Sequence, residues 1–248
     1  GKEFQAIFVR AQDIPEFVAD GAAELGVTGA DLVAESGQEV KELLDLEFGR
    51  CRLAVAVRDD SPVRTPEELD LHTRVATSFP RVTAEYFQAL GTRVKVAAVS
   101  GAAEIAPHLG VADVIVDLVS TGSTLRVNGL REIGTILHST ARLVGNPAAV
   151  EADPSASRIS ELVVALESVL RAKAKRYLMA NVPREKLPEV KAVLPGLSGP
   201  TIVEIQNGNG WVAAHAVVDA DKIYHTITDL KALGAEGILV TPIERLMP

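Results

Sequence analysis

Short apolar runs alternate along the chain with stretches in which apolar residues recur every three or four positions, and this pattern predicts strands separated by helices. The segments Asp13-Ile-Pro-Glu16 and Thr65-Pro-Glu-Glu68 have the form of capping boxes, which mark helix starts. Strands that alternate with helices are typical of an α/β fold with a mostly parallel sheet. In the first part of the chain the pattern predicts strands at residues 4–9, 52–57, 74–78, 94–99, 114–119 and 140–145, helices at residues 13–24, 83–90 and 102–108, and a short strand and a helix start on either side of Gly29.

The pattern changes around residues 146–157, where a loop rich in Asn, Pro, Ala and Asp interrupts it. Asp153 and Pro154 have the residue types of an N-cap and a first helical position, so a long helix is predicted from there to about Arg171. The later elements follow the order βαββαβ of a ferredoxin-like module and place a second domain at residues 178–248. They are strands at residues 175–181, 201–205, 211–218 and 237–241, helices at residues 183–193 and 221–233, and a hairpin turn at residues 206–210 that pairs the second strand with the third.

Composition narrows the class of protein. With 248 residues the chain is long enough for two domains, and its net charge of −8 argues against a general nucleic-acid binder, which carries a basic face. Cys51 is the only cysteine, so no disulfide framework is expected, a reducing, cytoplasmic setting fits, and packing is the expected role of its side chain. The five histidines show no ligand spacing. No apolar run reaches about 18 residues, so no transmembrane helix is expected, and no signal peptide is visible.

The turn after the strand at residues 114–119 concentrates hydroxyl groups, as the segment VDLVSTGSTL shows. Ligands of open α/β sheets bind at the carboxyl ends of strands, and a helix N-terminus there offers phosphate free N–H groups and a positive dipole. Asp113 and Asp117 would then hold sugar hydroxyls or, through water, Mg²⁺. The alternative is a plain helix cap, which needs one hydroxyl rather than four. The turn consists of Ser120, Thr121, Gly122, Ser123 and Thr124.

Several segments resemble one enzyme family. DVIVDLVSTGSTL is similar to the phosphoribosyl-diphosphate (PRPP) loop of the ATP phosphoribosyltransferases, the first enzymes of histidine biosynthesis. The stretches DIPEFVADGAAELGVTGADLVAESG, LLDLEFGRCRLAVAV and SGAAEIAPHLGVADVIVDLVSTGSTL also resemble that family. YLMANVPREKLPEVKAVLPGLSGPTI resembles only its long form, which carries a C-terminal regulatory domain.

The resemblance implies a two-lobed catalytic region of the periplasmic-binding-protein type (type II), followed by a ferredoxin-like, ACT-like domain. The lobes would be residues 1–58 with 141–177, and residues 59–140, with the regulatory domain at residues 178–248. The implied ligands are Mg²⁺, ATP and PRPP, and the implied products are N1-(5-phosphoribosyl)-ATP and diphosphate. A dimer or hexamer and feedback inhibition by histidine are also implied.

The same resemblance assigns roles to residues. Asp117 and Glu104 would reach the ribose of PRPP, while the loop of residues 120–124 would wrap its 5′-phosphate; a solvated helix face is the alternative for Glu104. Arg10 and Arg52 would lie near the phosphates of a nucleotide or diphosphate, with surface ion pairs as the alternative. Mg²⁺ would be held mainly by the diphosphate. No covalent or general-base residue is expected, because adenine N1 attacks ribose C1 directly as diphosphate leaves.

The resemblance also implies a histidine site between regulatory domains. For Asn181 the alternative is an N-cap of the helix expected near Pro183. Two glycines, a serine and a threonine in GLSGPT would meet the charged ends of an amino acid at a strand entrance. The implied effector residues are Asn181, Leu197, Ser198, Thr201 and Gly237.

One departure from the family pattern concerns the start of the chain. Members begin with a further strand and helix carrying a Lys-Gly-Arg segment that contributes to the substrate site, whereas this sequence opens at GKEFQAIFV, without Met. Catalytic competence therefore stays open at this stage. Two alternatives remain beside the enzyme: a two-lobed solute- or anion-binding protein, for which the βαββαβ tail has no use, and an inactive subunit that only senses histidine.

Overall fold

The chain divides into two compact units. A computed structural model describes residues 4–152, 155–206 and 208–247. Contacts between Cα atoms separate Gly1–Ile159 from Ser160–Pro248, so the boundary falls earlier than the one expected at residue 178. Each unit is described by itself below.

The first unit is built from two sheets with helices around them. Its strands are β1 (Leu25–Gly29), β2 (Lys41–Asp45), β3 (Cys51–Arg58), β4 (Arg74–Thr77), β5 (Lys95–Ala98), β6 (Val114–Val119), β7 (Leu130–Ser139) and β8 (Ala141–Gly145). Its helices are α1 (Ile14–Ala19), α2 (Ala30–Ser36), α3 (Pro80–Ala89), α4 (Ser123–Val127) and α5 (Pro147–Glu151), with 3₁₀ turns at Ala11–Asp13, Pro66–Glu68 and Ala103–Ile105.

Strand directions differ from the expected mostly parallel sheet. The three-stranded sheet, in the order β1-β8-β2, is antiparallel throughout. In the five-stranded sheet, in the order β5-β4-β6-β3-β7, β4 runs parallel to β5 and β6, but β3 runs antiparallel to β6 and β7. The expectation was wrong because alternating strands and helices give parallel neighbours only where each helix returns the chain to the same sheet. Here the chain reaches β3 directly from β2, in the other sheet, and leaves the five-stranded sheet again after β7.

The lobe boundary expected after residue 58 is also wrong. β3 lies between β6 and β7, and it belongs with them to the five-stranded sheet. The chain crosses between the sheets at residues 46–50 and again at Thr140, between β7 and β8. Neither β2 nor β7 was predicted from the sequence.

Some predicted elements are shorter than expected or are not formed. Residues 4–10 carry neither helix nor strand, and Phe8 is 97% exposed, because no strand among the described residues pairs with this segment. At neither capping box does the N-cap side chain, of Asp13 or Thr65, bond the helix backbone. The helix after Asp13 ends at Ala19 rather than near residue 24, and Thr65 is followed only by a 3₁₀ turn. The helix predicted at residues 102–108 is reduced to the turn Ala103–Ile105.

Both faces of the five-stranded sheet are buried. On one face Val55 and Val116 pack with Phe87 of α3, and on the other Ala54 and Ile115 pack with further small and apolar residues. Burial on both sides explains the continuous apolar runs at residues 53–57 of β3 and 114–116 of β6.

The second unit confirms the βαββαβ order and the pairing across the predicted hairpin. The sheet order β10-β11-β9-β12 is antiparallel, and Thr201 lies opposite His215. The predicted helix start at Asp153 and Pro154 lies outside the described residues. The elements are β9 (Lys175–Pro183), α7 (Leu187–Val193), β10 (Thr201–Glu204), β11 (Trp211–Asp219), α8 (Ile223–Ala232) and β12 (Glu236–Pro242), and they follow the long helix α6 (Ser155–Lys173).

Side chains of the second sheet alternate between a buried and a more open face. Leu178, Ala180 and Val182 of β9 join Val190 of α7 and Leu230 of α8 in one core, as period-two alternation requires. The other face carries Tyr177, Met179 and His215, and the Tyr177 hydroxyl lies 3.0 Å from His215 Nδ1.

Candidate functional site

The carboxyl end of β6 extends past its neighbour β4. The two strands run parallel, and their pairing stops at Thr77 opposite Val116. Asp117 therefore has a paired neighbour only on the β3 side, where it lies opposite Ala54. The sheet is open on the β4 side at this point, which is where ligands bind in open α/β sheets.

Two carboxylates lie together at this edge. Asp117 is half-buried, and its Oδ1 accepts a hydrogen bond of 2.7 Å from the Leu118 N–H. Burial raises the pKa of Asp117, the Leu118 N–H opposes that shift, and the charge of Glu104 adds to it. Glu104 lies in the turn Ala103–Ile105, which Ala102 enters with φ = 52°. The structure thus brings these two predicted residues together, and Glu104 is half-buried rather than on a solvated helix face.

The hydroxyl-rich loop follows β6 directly. Gly122 has φ = 73°, a left-handed conformation that favours glycine, and it is the N-cap residue of α4. The N-cap position itself therefore has no capping side chain, and the alternative of a plain helix cap would rest on the hydroxyls beside it. The Thr121 hydroxyl lies 3.0 Å from that of Ser123 and accepts from the Ser123 N–H at 3.4 Å. The four hydroxyl side chains of the loop belong to exposed residues.

The helix after the loop is too short to contribute a large macrodipole to phosphate binding. α4 has 5 residues, whereas the macrodipole grows from many aligned peptide units. Donors for an anion here are therefore the local N–H groups and hydroxyls of the loop rather than the helix as a whole.

Arg52 lies beneath this loop and is already paired. Its Nε donates to Glu132 Oε2 at 2.8 Å, and its Nη2 makes a second contact to Glu132 Oε1. Its Nη1 donates to the Ser120 carbonyl at 3.3 Å. Arg126 donates from Nη1 to the Thr121 carbonyl at 3.4 Å. Of the two alternatives for Arg52, the structure thus shows the ion pair.

Glu132 and Arg126 were not identified from the sequence. Glu132 lies on β7, a strand that the apolar pattern did not reveal, and its partner is 80 positions away in the chain. Arg126 lies only two residues beyond the loop. A basic residue so close to a predicted phosphate-binding turn could have been identified as part of the site from the sequence.

Asp113 lies at the opposite end of β6. Its Oδ2 accepts from the Arg74 N–H at 2.9 Å, and its own N–H donates to the Arg74 carbonyl at 2.9 Å. At about 3.3 Å per residue it is about 20 Å from the loop. The expectation that Asp113 contacts the same sugar as Asp117 is wrong, because Asp113 precedes β6 and lies at its amino end, whereas the loop follows its carboxyl end.

Arg10 and Cys51 have simpler surroundings. Arg10 is exposed before the 3₁₀ turn Ala11–Asp13, and its guanidinium makes no ion pair with any residue that the structure describes. Burial and the charge of Asp31 raise the pKa of the Cys51 thiol, a shift that a Ser139 hydrogen bond opposes. A thiol that stays protonated fits a packing role. Among the described ranges no group of three or more His, Cys, Asp or Glu side chains gathers as a metal site.

The turn after the neighbouring strand β4 is occupied by the protein itself. Glu35, on α2, accepts from the Arg81 N–H through Oε1 and from the Val82 N–H through Oε2, both at 2.9 Å. These are first-turn N–H groups of the 10-residue helix α3, which have no partner within the helix. The Phe79 N–H is bonded to the Thr77 hydroxyl at 2.9 Å.

The predicted effector residues of the second unit fall into two groups. Asn181 and Gly237 are neighbours: a Cβ atom on Gly237, whose φ is 59°, would lie 3.3 Å from Asn181 Nδ2. Thr201 opens β10 on the other side of β11, after an exposed loop that carries Leu197 and Ser198. From the register and strand spacing, Thr201 lies about 12 Å from Asn181.

The capping alternative for Asn181 is wrong. Asn181 lies inside β9, opposite Ala213, and the next helical turn begins at Arg184. Its side chain is exposed and is available to a ligand.

Comparison with known proteins gives a consistent result. Residues 10–168 match the family described as ATP phosphoribosyltransferase (HisG), and residues 172–245 match the HisG C-terminal domain. The ATP phosphoribosyltransferase of Gemmatimonas aurantiaca is 62% identical, over 100% of this chain and 87% of the relative. That of Methanopyrus kandleri is 48% identical, over 99% of this chain and 85% of the relative. A chain of the solved ATP phosphoribosyl transferase (HisG:HisZ) complex from Thermotoga maritima aligns with a TM-score of 0.59 and 27% identity, over 66% of this chain and 78% of that one.

These matches confirm the resemblance seen in the sequence, together with the two-lobed fold and the additional C-terminal domain. No described helix is both long and apolar enough to cross a membrane. The chain therefore belongs to the ATP phosphoribosyltransferase family, in its long form with a C-terminal domain, and is an enzyme of the first step of histidine biosynthesis.

Proposed function

We propose that the loop of residues 120–124, with Asp117 and Glu104 beside it, binds PRPP for transfer of its phosphoribosyl group to N1 of ATP. The observation that carries this proposal is the combination of an exposed, hydroxyl-rich, left-handed turn with two adjacent carboxylates at the open edge of the sheet. PRPP carries a 5′-phosphate and a ribose diol on the same sugar. Its site therefore needs donors for the phosphate and acceptors for the diol, separated by about the length of a ribose.

Each part of the site has a distinct task. The N–H groups and hydroxyls of the loop donate to the 5′-phosphate, and Gly122 allows the left-handed turn that presents them. The Asp117 and Glu104 carboxylates accept hydrogen bonds from the ribose hydroxyls. Burial, together with the charge of Glu104, raises the pKa of Asp117 in the free protein. The ribose hydroxyls of bound PRPP would favour the charged form of Asp117 by donating hydrogen bonds to it.

The reaction follows from positioning and charge. Adenine N1 supplies its electron pair to ribose C1, the bond from C1 to the diphosphate oxygen breaks, and diphosphate leaves with that electron pair. The ribose gains positive charge on the way, and two fixed carboxylates next to it stabilise that charge. Holding the two substrates in line supplies most of the remaining acceleration. No covalent or general-base residue is assigned.

Mg²⁺ is proposed as the metal cofactor, held mainly by the diphosphate. Carboxylate oxygens are ligands that Mg²⁺ accepts, and Asp117 with Glu104 provides two of them, so the residues at this edge fit the ion. When bound, Mg²⁺ neutralises charge on the leaving group.

Arg10 remains a candidate for binding the nucleotide or diphosphate, because it is exposed and has no ion-pair partner among the described residues. Arg52 is withdrawn from that role.

Histidine is proposed to inhibit the enzyme by binding at the second unit. Asn181 and Thr201 are both exposed, and the register places them on the same face of the sheet, about 12 Å apart. The family resemblance implies a site between regulatory domains, and with it we propose a homo-oligomer such as a dimer or hexamer. A cytoplasmic location is proposed with the biosynthetic role.

Calorimetry on Thr201→Val should show a severalfold weaker affinity for histidine, as expected for one lost hydrogen bond of about 1 kcal/mol. Normal affinity in both Thr201→Val and Asn181→Ala would place the effector elsewhere.

Formation of N1-(5-phosphoribosyl)-ATP from ATP, PRPP and Mg²⁺ tests the proposal as a whole. The family matches argue against the solute-binding alternative. An inactive histidine-sensing subunit would bind histidine but form no product from the chain by itself.

A further inference from the structure

We infer that the Arg52–Glu132 ion pair, with Arg126, fixes the loop of residues 120–124 in the shape that receives a phosphate, so that Arg52 and Glu132 are positioning residues for PRPP. This inference rests on the function proposed for that loop. It concerns residues that hold the loop rather than residues that touch the substrate.

The ion pair lies where the loop leaves the sheet. Arg52 is on β3, opposite Val119, which is the last residue of β6. Arg52 and Asp117 share one face of the sheet. Arg52 lies opposite Val119, and Val119 is two positions after Asp117 on β6, so all three side chains project from the same side. Glu132 holds the guanidinium from the next strand, β7, by two contacts. The pair therefore joins β3 to β7, and Arg52 links both to the first residue after β6 through the Ser120 carbonyl.

The two arginines orient consecutive peptide groups of the loop. Arg52 takes the Ser120 carbonyl and Arg126 takes the Thr121 carbonyl. In a trans peptide the carbonyl of one residue and the N–H of the next point in opposite directions. The Thr121 and Gly122 N–H groups consequently point away from the arginines. Carbonyl oxygens, which repel phosphate, are thus turned toward guanidinium groups, and amide donors are turned to the other side.

The same cluster lies in direct reach of residue 122. A Cβ atom there would lie 3.3 Å from Arg126 Nη1 and 3.5 Å from Glu132 Oε1. Gly122 rests directly on the groups that hold the loop, so movement of Glu132 would be transmitted to the turn.

Glu132 has a further effect on Arg52. With Glu132 in place, the guanidinium is bound in a two-pronged geometry that only a planar cation makes with a carboxylate. Without it, Arg52 would keep only its longer contact to the Ser120 carbonyl and would be free to leave it. The expected result is a loop with several conformations, of which only a fraction bind PRPP.

The test compares Glu132→Gln with a matched control, Glu42→Gln. Glu42 pairs with Arg142 at 2.9 Å across β2 and β8, so it is also a cross-strand Arg–Glu contact, but in the other sheet. PRPP affinity in the presence of Mg²⁺ is measured by calorimetry, with kcat, the KM of each substrate and the melting temperature of each variant. We expect Glu132→Gln to raise the Kd and KM for PRPP about tenfold, and Glu42→Gln to change them by about twofold or less. The KM for ATP and the melting temperature should change little.

Two further variants keep the inference falsifiable. Arg52→Lys keeps the charge but loses the two-pronged contact, and it should weaken PRPP binding as Glu132→Gln does, also if Glu132→Gln fails to fold. The double variant Arg52→Lys/Glu132→Gln should be no weaker than the worse single variant, because both act through one contact.

Three results would overturn the inference: PRPP affinity unchanged in Glu132→Gln and Arg52→Lys, an equal rise in the KM of both substrates, or tighter PRPP binding in Glu132→Gln. The last would mean that Arg52 is a direct phosphate ligand restrained by Glu132. Failure of the proposed loop function is distinguishable, because Asp117→Asn and Gly122→Val would then also bind PRPP normally. If those two lose PRPP while Glu132→Gln does not, only the inference fails.

Discussion

Two turns lie at the same edge of the five-stranded sheet, and they differ in whether side chains of the protein bond their N–H groups. β4 and β6 are parallel neighbours, and each leads into a helix. After β4, the protein fills the start of α3 with its own Glu35 carboxylate and with the Thr77 hydroxyl. After β6, the protein bonds the loop carbonyls to arginines and leaves the hydroxyls exposed.

By helix length alone the β4 turn would be the stronger anion site. α3 has 10 residues and α4 has 5, so the larger dipole belongs to the turn that is already filled. The comparison teaches that a binding site is identified by donors that the fold leaves without partners, not by the presence of a helix N-terminus. In this unit the unfilled turn is also the one that lies next to Asp117 and Glu104.

The largest effect is expected from Gly122→Val. The side chain would push against Arg126 and Glu132, which hold the loop, and would displace the loop N–H groups from the phosphate, so PRPP affinity should fall about hundredfold or more. Gly91→Val is the matched control, because Gly91 has φ = 72° but a Cβ atom added there would meet nothing within 4 Å, so it carries the same backbone strain without the neighbours. Both variants should lose stability by about 1–2 kcal/mol. Equal PRPP affinity in the two variants, by calorimetry below their melting temperatures, would favour the cap interpretation of the loop.

Asp117→Asn should weaken PRPP binding by about ten- to hundredfold, since a charged acceptor contributes about 1.5–3 kcal/mol. Its stability in the free state should not fall, because the substitution removes a half-buried charge and Asn can still accept from the Leu118 N–H. Calorimetry and thermal unfolding of the same samples check both statements. A folded variant with unchanged PRPP affinity would remove Asp117 from the site.

A smaller effect is expected from pH. The folded-state pKa of Asp117 is raised above the ordinary 3.8, so its proton is bound more tightly in the folded than in the unfolded chain. In the free protein this contribution to stability is present below pH 3.8 and is lost as the pH rises through the raised pKa. PRPP binding has the opposite sign, because it uses the carboxylate: affinity should decrease as the pH falls through the raised pKa.

The control for this pH dependence is Asp117→Asn, because the phosphates of PRPP titrate as well. The difference between the two pH profiles isolates the carboxylate. Parallel profiles would show that Asp117 does not titrate with binding.

The smallest effect on PRPP is expected from Glu35→Ala, which opens the β4 turn. Two N–H groups lose their acceptor, so stability should fall by about 0.5–2 kcal/mol, as for loss of an N-cap. PRPP affinity should stay near that of the unchanged protein, because the phosphate binds at the other turn. Glu39→Ala, at an exposed position three residues beyond α2, is the control for thermal unfolding. A large loss of PRPP affinity in Glu35→Ala would break the contrast between the turns.

The sequence revealed what depends on local residues. The apolar run of β6, the hydroxyls after it and the βαββαβ order were all predicted, because each is written in consecutive positions. Asp113 was misplaced although its position before the strand already put it at the amino end, away from the carboxyl end where ligands of such sheets bind. Glu132 was missed because its contact with Arg52 depends on the register between β3 and β7, and β7 itself has no clean alternation. Strand direction in β3 likewise depends on which sheet the chain comes from.

Amide hydrogen exchange with and without PRPP and Mg²⁺ tests the central claim most directly, because it reads both turns in one experiment. Bound phosphate should slow exchange in the peptide that contains residues 121–124 and leave the peptide that contains Arg81 and Val82 unchanged. Protection at the start of α3, with none after β6, would contradict the claim and place PRPP at the turn that Glu35 fills.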